Sequence, residues 1–289
     1  MITVSSRQIQ ANGLTFTIDE AGDGDKVAVL LHGFPESRFS WRFQIPLLVE
    51  LGYHVVVPDM RGYGRSSRPP LKSDYHISKL VEDVAGLFDA VGAKQRLLIG
   101  HDWGALVAWT FAMDKRLPLD GLIIMNVPHP AVFARVIKTV PAQRKNSWYV
   151  GFFQIPWLPE WSLTRNKAQG IAQAFSGMAV DKSRFPAEVT DVYRQNALIP
   201  GAMTAMINYY RANRDLLGRY GGAAPVIEIP VLMVWGEDDT ALDIACTEGY
   251  APYVADFTLK RLPRVSHWVQ QEAPEQVNAC LTQWIGHRL

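Results

Sequence analysis

Gly100-His-Asp-Trp-Gly-Ala105 is the stretch that decides how this chain folds. Preceded by Arg96-Leu-Leu-Ile99 and followed by Leu106-Val-Ala-Trp-Thr-Phe111, it stands where a buried strand turns sharply into a helix. That is the layout of a nucleophile elbow, in which small residues two positions either side of the nucleophile permit a turn tight enough to lift one side chain clear of a sheet. Gly100 and Gly104 flank Asp102 in this way, so the nucleophile would be a carboxylate. Taken alone, a Gly-x-Asp-x-Gly turn is more often a helix cap than a catalytic site, because Asp is a favoured N-cap. Its surroundings have to decide.

Outward from the elbow, Val27–Leu31, Val55–Val57, Leu97–Ile99, Leu122–Met125 and Val231–Trp235 are short continuous apolar runs. Strands buried on both faces read this way, and the helical stretches Trp41–Leu51, Ile77–Val91 and Trp103–Lys115 separate them. Ahead of them, Asn12-Gly13 between Arg7–Ala11 and the alternating Leu14–Asp19 predicts a hairpin. The fold class is therefore α/β: a mostly parallel sheet with an antiparallel start and helices on both faces. Between about Asn126 and Pro225 the alternation gives way to aromatic clusters and helical patches, closing on Arg219-Tyr-Gly-Gly-Ala-Ala-Pro225 with its linker-like Gly-Gly and Pro. Residues 1–126 and 226–289 are thus expected to form a core domain, and residues 127–225 an inserted helical cap.

The chain has 29 Lys plus Arg against 28 Asp plus Glu, a net charge of +1 that offers no overall field for nucleic acid or anionic lipid and suits a small uncharged substrate. Met1-Ile-Thr-Val-Ser-Ser-Arg7 is not a basic segment leading into an apolar one, and no apolar run approaches about 18 residues. A cytoplasmic enzyme without a membrane span is expected, its oligomeric state open, a homodimer included. Two cysteines are too few for a disulfide framework, and Cys280, spaced with Val277, Leu281 and Trp284, reads as core-facing. The seven histidines have no metal-ligand spacing, so neither metal nor cofactor is expected.

Ligands of open α/β sheets sit beyond the carboxyl ends of the strands. The loops expected there carry His32-Gly-Phe-Pro-Glu-Ser37, the elbow, Trp235-Gly-Glu-Asp-Asp239 and Val265-Ser-His267-Trp268. Pro58-Asp-Met-Arg-Gly62-Tyr-Gly64 lacks the third glycine of a dinucleotide site and reads as structural. Asp239 alone reads as a solvated or capping aspartate, and His267 alone as readily structural as catalytic. Together, Asp102, Asp239 and His267 follow the order nucleophile, acid, base, each after the right element. The backbone N–H groups of Phe34 and Trp103 are the candidate oxyanion donors.

At this point the chain resembles a known family. His-Gly-Phe-Pro, Gly-His-Asp-Trp-Gly, Trp-Gly-x-x-Asp and Ser-His-Trp are similar to motifs of the α/β-hydrolase-fold epoxide hydrolases, from about Gly13 to the C-terminus. Haloalkane dehalogenases share the Asp-Trp elbow. In both groups the aspartate is the nucleophile, which suits a carboxylate: already ionised at neutral pH, it attacks saturated carbon and leaves an alkyl-enzyme ester for water to cleave. Asn126 occupies a position where some relatives carry the triad acid, which leaves Asp239 as the candidate here.

The leaving group separates the two chemistries. An opening epoxide benefits from an O–H donor, whereas a halide needs only weak N–H donors. The resemblance puts the ring-opening tyrosines at Tyr149, in Trp148-Tyr149-Val-Gly-Phe-Phe-Gln154, and at Tyr210, in Asn208-Tyr-Tyr210-Arg211. Of the neighbours Tyr209 and Tyr210, the latter shares a helix face with Met203, Met206 and Ile207 and is the better inward candidate. Without the resemblance, either tyrosine reads as a core aromatic. The implied reaction is hydrolysis of an epoxide by water to a vicinal diol, and Trp148, Phe152, Phe153 and Trp157 suggest an apolar pocket. The rivals are a haloalkane or haloacid dehalogenase and a non-catalytic small-molecule-binding protein of the same fold.

Overall fold

The computed structural model describes residues 2–216 and 224–289. Eight strands form one sheet: β1 (Ser5–Ala11), β2 (Leu14–Ala21), β3 (Lys26–Leu31), β4 (His54–Pro58), β5 (Gln95–His101), β6 (Gly121–Met125), β7 (Ile227–Gly236) and β8 (Val254–Leu262). Their spatial order is β1-β2-β4-β3-β5-β6-β7-β8. β1 and β2 form the hairpin, Ala11 opposite Leu14, with Asn12 and Gly13 both at positive φ as a type I′ turn requires. β2 joins β4 antiparallel and every later pairing is parallel.

The apolar runs follow from period-2 alternation between two covered faces. Val27, Val29, Leu31 and Leu98 pack into one core layer, while Ala28, Leu30, Leu97 and Ile99 pack into the other. α1 (Gln44–Glu50) packs on the second side, and α2 (Ile77–Ala90) and α3 (Trp103–Met113) pack on the first. α3 is apolar on nearly every side because it is buried all round. The expected helix Trp41–Leu51 is instead a 3₁₀ turn, Arg38–Trp41, followed by α1. β8 has no counterpart among the expected strands: at the sheet edge it is only part-buried, so Ala-Asp-Phe-Thr-Leu-Lys-Arg carries no continuous apolar run.

Between β6 and β7 the described chain is helical: α4 (Pro130–Thr139), α5 (Pro141–Asn146), α6 (Trp148–Phe152), α7 (Leu158–Met178), α8 (Ala187–Ala197) and α9 (Ala202–Ala212). α7 is two helical pieces joined at Arg165–Ala168, where Asn166, Lys167 and Ala168 are left-handed. The Gly221-Gly222 punctuation lies outside the described residues. After β8 come a short α10 (Val269–Glu272) and α11 (Pro274–Arg288), whose Val277, Leu281 and Trp284 are buried, with Cys280 half-buried beside them.

Candidate active site

Parallel pairing brings the carboxyl ends of β3, β5, β6, β7 and β8 side by side, and each is followed by a loop that carries a site residue. Asp102 sits between β5 and α3 at φ 47°, ψ −122°. For a non-glycine residue this is strained backbone, costing on the order of 1–3 kcal/mol, and such strain persists where surrounding packing enforces it. Packing does so here. A Cβ on Gly104 would lie 2.2 Å from the Leu31 carbonyl oxygen, and one on Gly33 would lie 2.3 Å from the Asp102 Cβ. The elbow thus closes directly on the end of β3, which brings the Phe34 N–H to donate to Asp102 Oδ1 at 2.6 Å. Trp103, the next residue along, opens α3.

His267, after β8, faces both acids. Its Nδ1 donates to Asp239 Oδ2 at 2.6 Å, and its Nε2 lies 3.6 Å from Asp102 Oδ2, an ion-pair distance rather than a hydrogen bond. The Nδ1 contact fixes the ring so that Nε2 faces Asp102. Asp239 Oδ2 also accepts from Asn126 Nδ2 at 2.8 Å, and Oδ1 accepts from the Ala241 and Leu242 N–H groups at 2.8 and 2.9 Å. Asn126 therefore holds the Asp239 carboxylate from the end of β6, and its own Oδ1 accepts from Gly236 N at 2.8 Å.

Charge follows from this arrangement. Burial lowers the affinity of the His267 ring for a proton, but Asp239 and Asp102 outweigh it and raise its pKa from 6.5 to about 10. Burial likewise pushes the Asp102 carboxyl up, yet the contact with His267, the nearby His101 and the Phe34 N–H hold it below the ordinary carboxylate range. Each group thus favours the charged form of the other, Asp102 as carboxylate and His267 as imidazolium.

Behind this pair lies a polar cluster that motif reading missed. His101 Nδ1 contacts Glu36 Oε2 at 2.7 Å and its Nε2 contacts the His267 carbonyl oxygen at 2.8 Å. Glu36 also accepts from Gly33 N, Gln270 Nε2 and Gln271 Nε2 at 2.8–2.9 Å. Burial opposes ionisation of Glu36, but His101 and the Gly33 N–H prevail and hold its pKa below the usual value. The available signal is that both titratable residues stand inside the quoted motifs.

The helical segment closes the site. Tyr149, from α6, and Tyr210, from α9, stand edge to face with ring centroids 6.0 Å apart. Both line two cavities that meet at Asp102, one of about 150 Å³ walled by Leu106, Val127, Phe133 and Leu242, the other of about 330 Å³ walled by Phe34, Trp148, Phe153 and Trp268. Burial, and then the Asp102 charge, push both phenols well above their ordinary pKa, so both keep their protons. Tyr209 points away and donates to the Arg61 carbonyl at 2.7 Å, a structural role. Two of the four aromatic residues expected in the wall are elsewhere: Phe152 packs on Trp148 and Phe153, and Trp157 projects outward, 69% exposed. Gly62 and Gly64 are structural, Gly64 lying against the Asp59 carboxylate.

Residues 27–274 match the alpha/beta hydrolase fold family. The chain is 35% identical to an AB hydrolase superfamily protein of Bacillus subtilis over 99% of both chains. It is also 35% identical to human epoxide hydrolase 4, over 94% of this chain and 75% of that one. A mutant of the Bacillus megaterium epoxide hydrolase, solved with its product (R)-3-[1]naphthyloxy-propane-1,2-diol, superposes with a TM-score of 0.88 at 30% identity, covering 97% of this chain and all of the other. In sequence and in fold, this chain belongs to the epoxide hydrolases of the α/β-hydrolase fold family.

Proposed function

We propose that the protein hydrolyses apolar epoxides to vicinal diols through an ester on Asp102, with residues 127–225 acting as the cap that supplies the ring-opening tyrosines. The observation that carries the reading is that Asp102, Tyr149 and Tyr210 line the same cavities, with His267 Nε2 3.6 Å behind the carboxylate. An epoxide between them would meet a nucleophile on one side and two protonated phenols on the other.

In the first step Asp102 attacks a ring carbon, the C–O bond breaks, and the oxygen takes its proton from one of the tyrosines. Esterification removes the Asp102 charge, and with it part of what raises the His267 pKa. The imidazolium then loses its proton, by way of the tyrosinate, and becomes a base only once there is an ester to cleave. His267 next deprotonates water, which attacks the Asp102 ester carbon. The tetrahedral oxyanion rests on the Phe34 and Trp103 N–H groups, each such donor typically worth about 10²- to 10³-fold in rate. Collapse breaks the bond between the Asp102 carbon and the alkyl oxygen, the departing oxygen takes the remaining proton of the added water, and the diol leaves with the carboxylate restored beside the protonated His267.

The lining of the two cavities favours an apolar substrate, and the diol in the Bacillus megaterium neighbour carries a naphthyl group of that character. A single-turnover reaction in ¹⁸O-water, with enzyme in excess, tests the route. The diol should contain no label, and the label should appear in the Asp102 carboxylate; label in first-turnover diol would mean that water attacks the epoxide directly.

A further inference from the structure

The α6–α7 region exposes tryptophan where folding gives no reason for it. Trp148 is 67% exposed, Trp157 69% and Trp161 53%, with Ile155 exposed among them. Trp157 is also left-handed, at φ 55°. A bulky residue seldom adopts that conformation, and a strained, solvent-exposed tryptophan contributes little to the fold. The loop is nevertheless held firmly: Arg211 of α9 donates to the Phe153 and Ile155 carbonyls at 2.9 and 2.7 Å and pairs with Glu160. The rings are thus presented on a fixed support.

The charge around them is one-sided. Residues 144–167 contain Arg144, Lys145, Arg165 and Lys167, all exposed, against the single acid Glu160, which Arg211 neutralises. The Arg165 guanidinium lies 4.9 Å from the Trp161 ring centroid. The net charge of the whole chain, +1, averages this local excess away.

From these observations we infer that the Trp148–Trp161 face of the helical segment docks on a lipid surface containing anionic headgroups. Tryptophan favours the boundary between water and hydrocarbon, and flanking Lys and Arg add attraction to anionic lipid. A second copy of the chain is a poorer occupant, because the same basic rim would face itself. Among the described residues no helix is long and apolar enough to cross a membrane, so the association is peripheral. Trp148 belongs both to this face and to the wall of the larger cavity, so docking would set the cavity beside the phase into which apolar compounds partition. This last consequence rests on the proposed epoxide chemistry, whereas the docking itself does not.

Flotation of the intact protein with vesicles, without any epoxide, tests the docking. The wild type should float with vesicles of phosphatidylcholine mixed with phosphatidylglycerol, less with phosphatidylcholine alone, and less as salt is raised. The double variant Trp157→Ala/Trp161→Ala should lose at least about tenfold in vesicle affinity from the apolar area withdrawn, while hydrolysing a water-soluble epoxide at the wild-type rate. Arg144→Glu/Lys145→Glu should remove the preference for anionic vesicles. Failure of the wild type to float with either vesicle overturns the inference, as does equal flotation of the tryptophan double variant. A dimer on size exclusion that the same double variant dissolves would assign the face to a second copy instead.

Discussion

On the sheet side of the site, Asp239 accepts from His267, Asn126 and two backbone amides, and His267 is held again through its carbonyl by His101. On the helical side, Tyr149 and Tyr210 are placed by rings: Phe153 lies 5.9 and 4.7 Å from them, Trp103 lies 5.0 Å from Tyr210, and Phe34 joins Phe153 to Tyr210. Directional bonds hold the groups that must be aligned to fractions of an ångström in both steps. Packing contacts hold the groups that must also shape a pocket. Damage on the sheet side should therefore reach ester cleavage, and damage on the helical side should stop at ring opening.

The largest expected effect comes from Asp102, the proposed nucleophile, which both halves serve. Asp102→Asn should lower diol release by at least about 10⁴-fold, since without it neither step has a starting point. Next come the phenols. Tyr149→Phe or Tyr210→Phe should slow ester formation by roughly 10²-fold each, leaving ester cleavage at its wild-type rate. Stopped-flow tryptophan fluorescence can follow the two phases separately, and an equal slowing of both would erase the proposed division.

A smaller loss is expected from Asn126→Ala, which removes one donor from Asp239: about tenfold, confined to ester cleavage, or roughly 1.4 kcal/mol, near the low end of what one hydrogen bond to a charged group contributes. A separate effect is on stability. The His267 pKa is raised on folding, from 6.5 to about 10, so its pairing stabilises the fold fully below pH 6.5 and is lost as pH rises through about 10. Urea midpoints of the wild type should fall over that window, and those of His267→Gln should fall less. Parallel slopes would show that the sheet-side charges are not coupled to folding.

The two halves also differ in how far the sequence reveals them. Asp102 and Asp239 each follow an apolar run within a few positions, which marks their loops, whereas His267 follows β8, which has no such run, and is marked by its order in the chain and by Ser-His-Trp. Glu36 and His101 stood inside the quoted motifs, yet nothing local says that they meet, because their contact spans 65 residues. The tyrosines depend on the packing of α5 through α9. Helix-face geometry separated Tyr210 from Tyr209, but it could not say what Tyr210 faces. The same long-range packing turns Trp157 outward when composition suggested a pocket wall, and the half-exposed edge strand β8 left no periodic trace.

The division of labour stands on an ester that forms with one half and is cleaved by the other, and intact-protein mass spectrometry of His267→Gln after mixing with a styrene-type epoxide tests it most directly. The variant should gain the mass of one epoxide, on the peptide containing Asp102, and keep it long after the wild type has turned over. A variant that has lost turnover yet carries no adduct, or one that releases diol at the wild-type rate, would contradict the account.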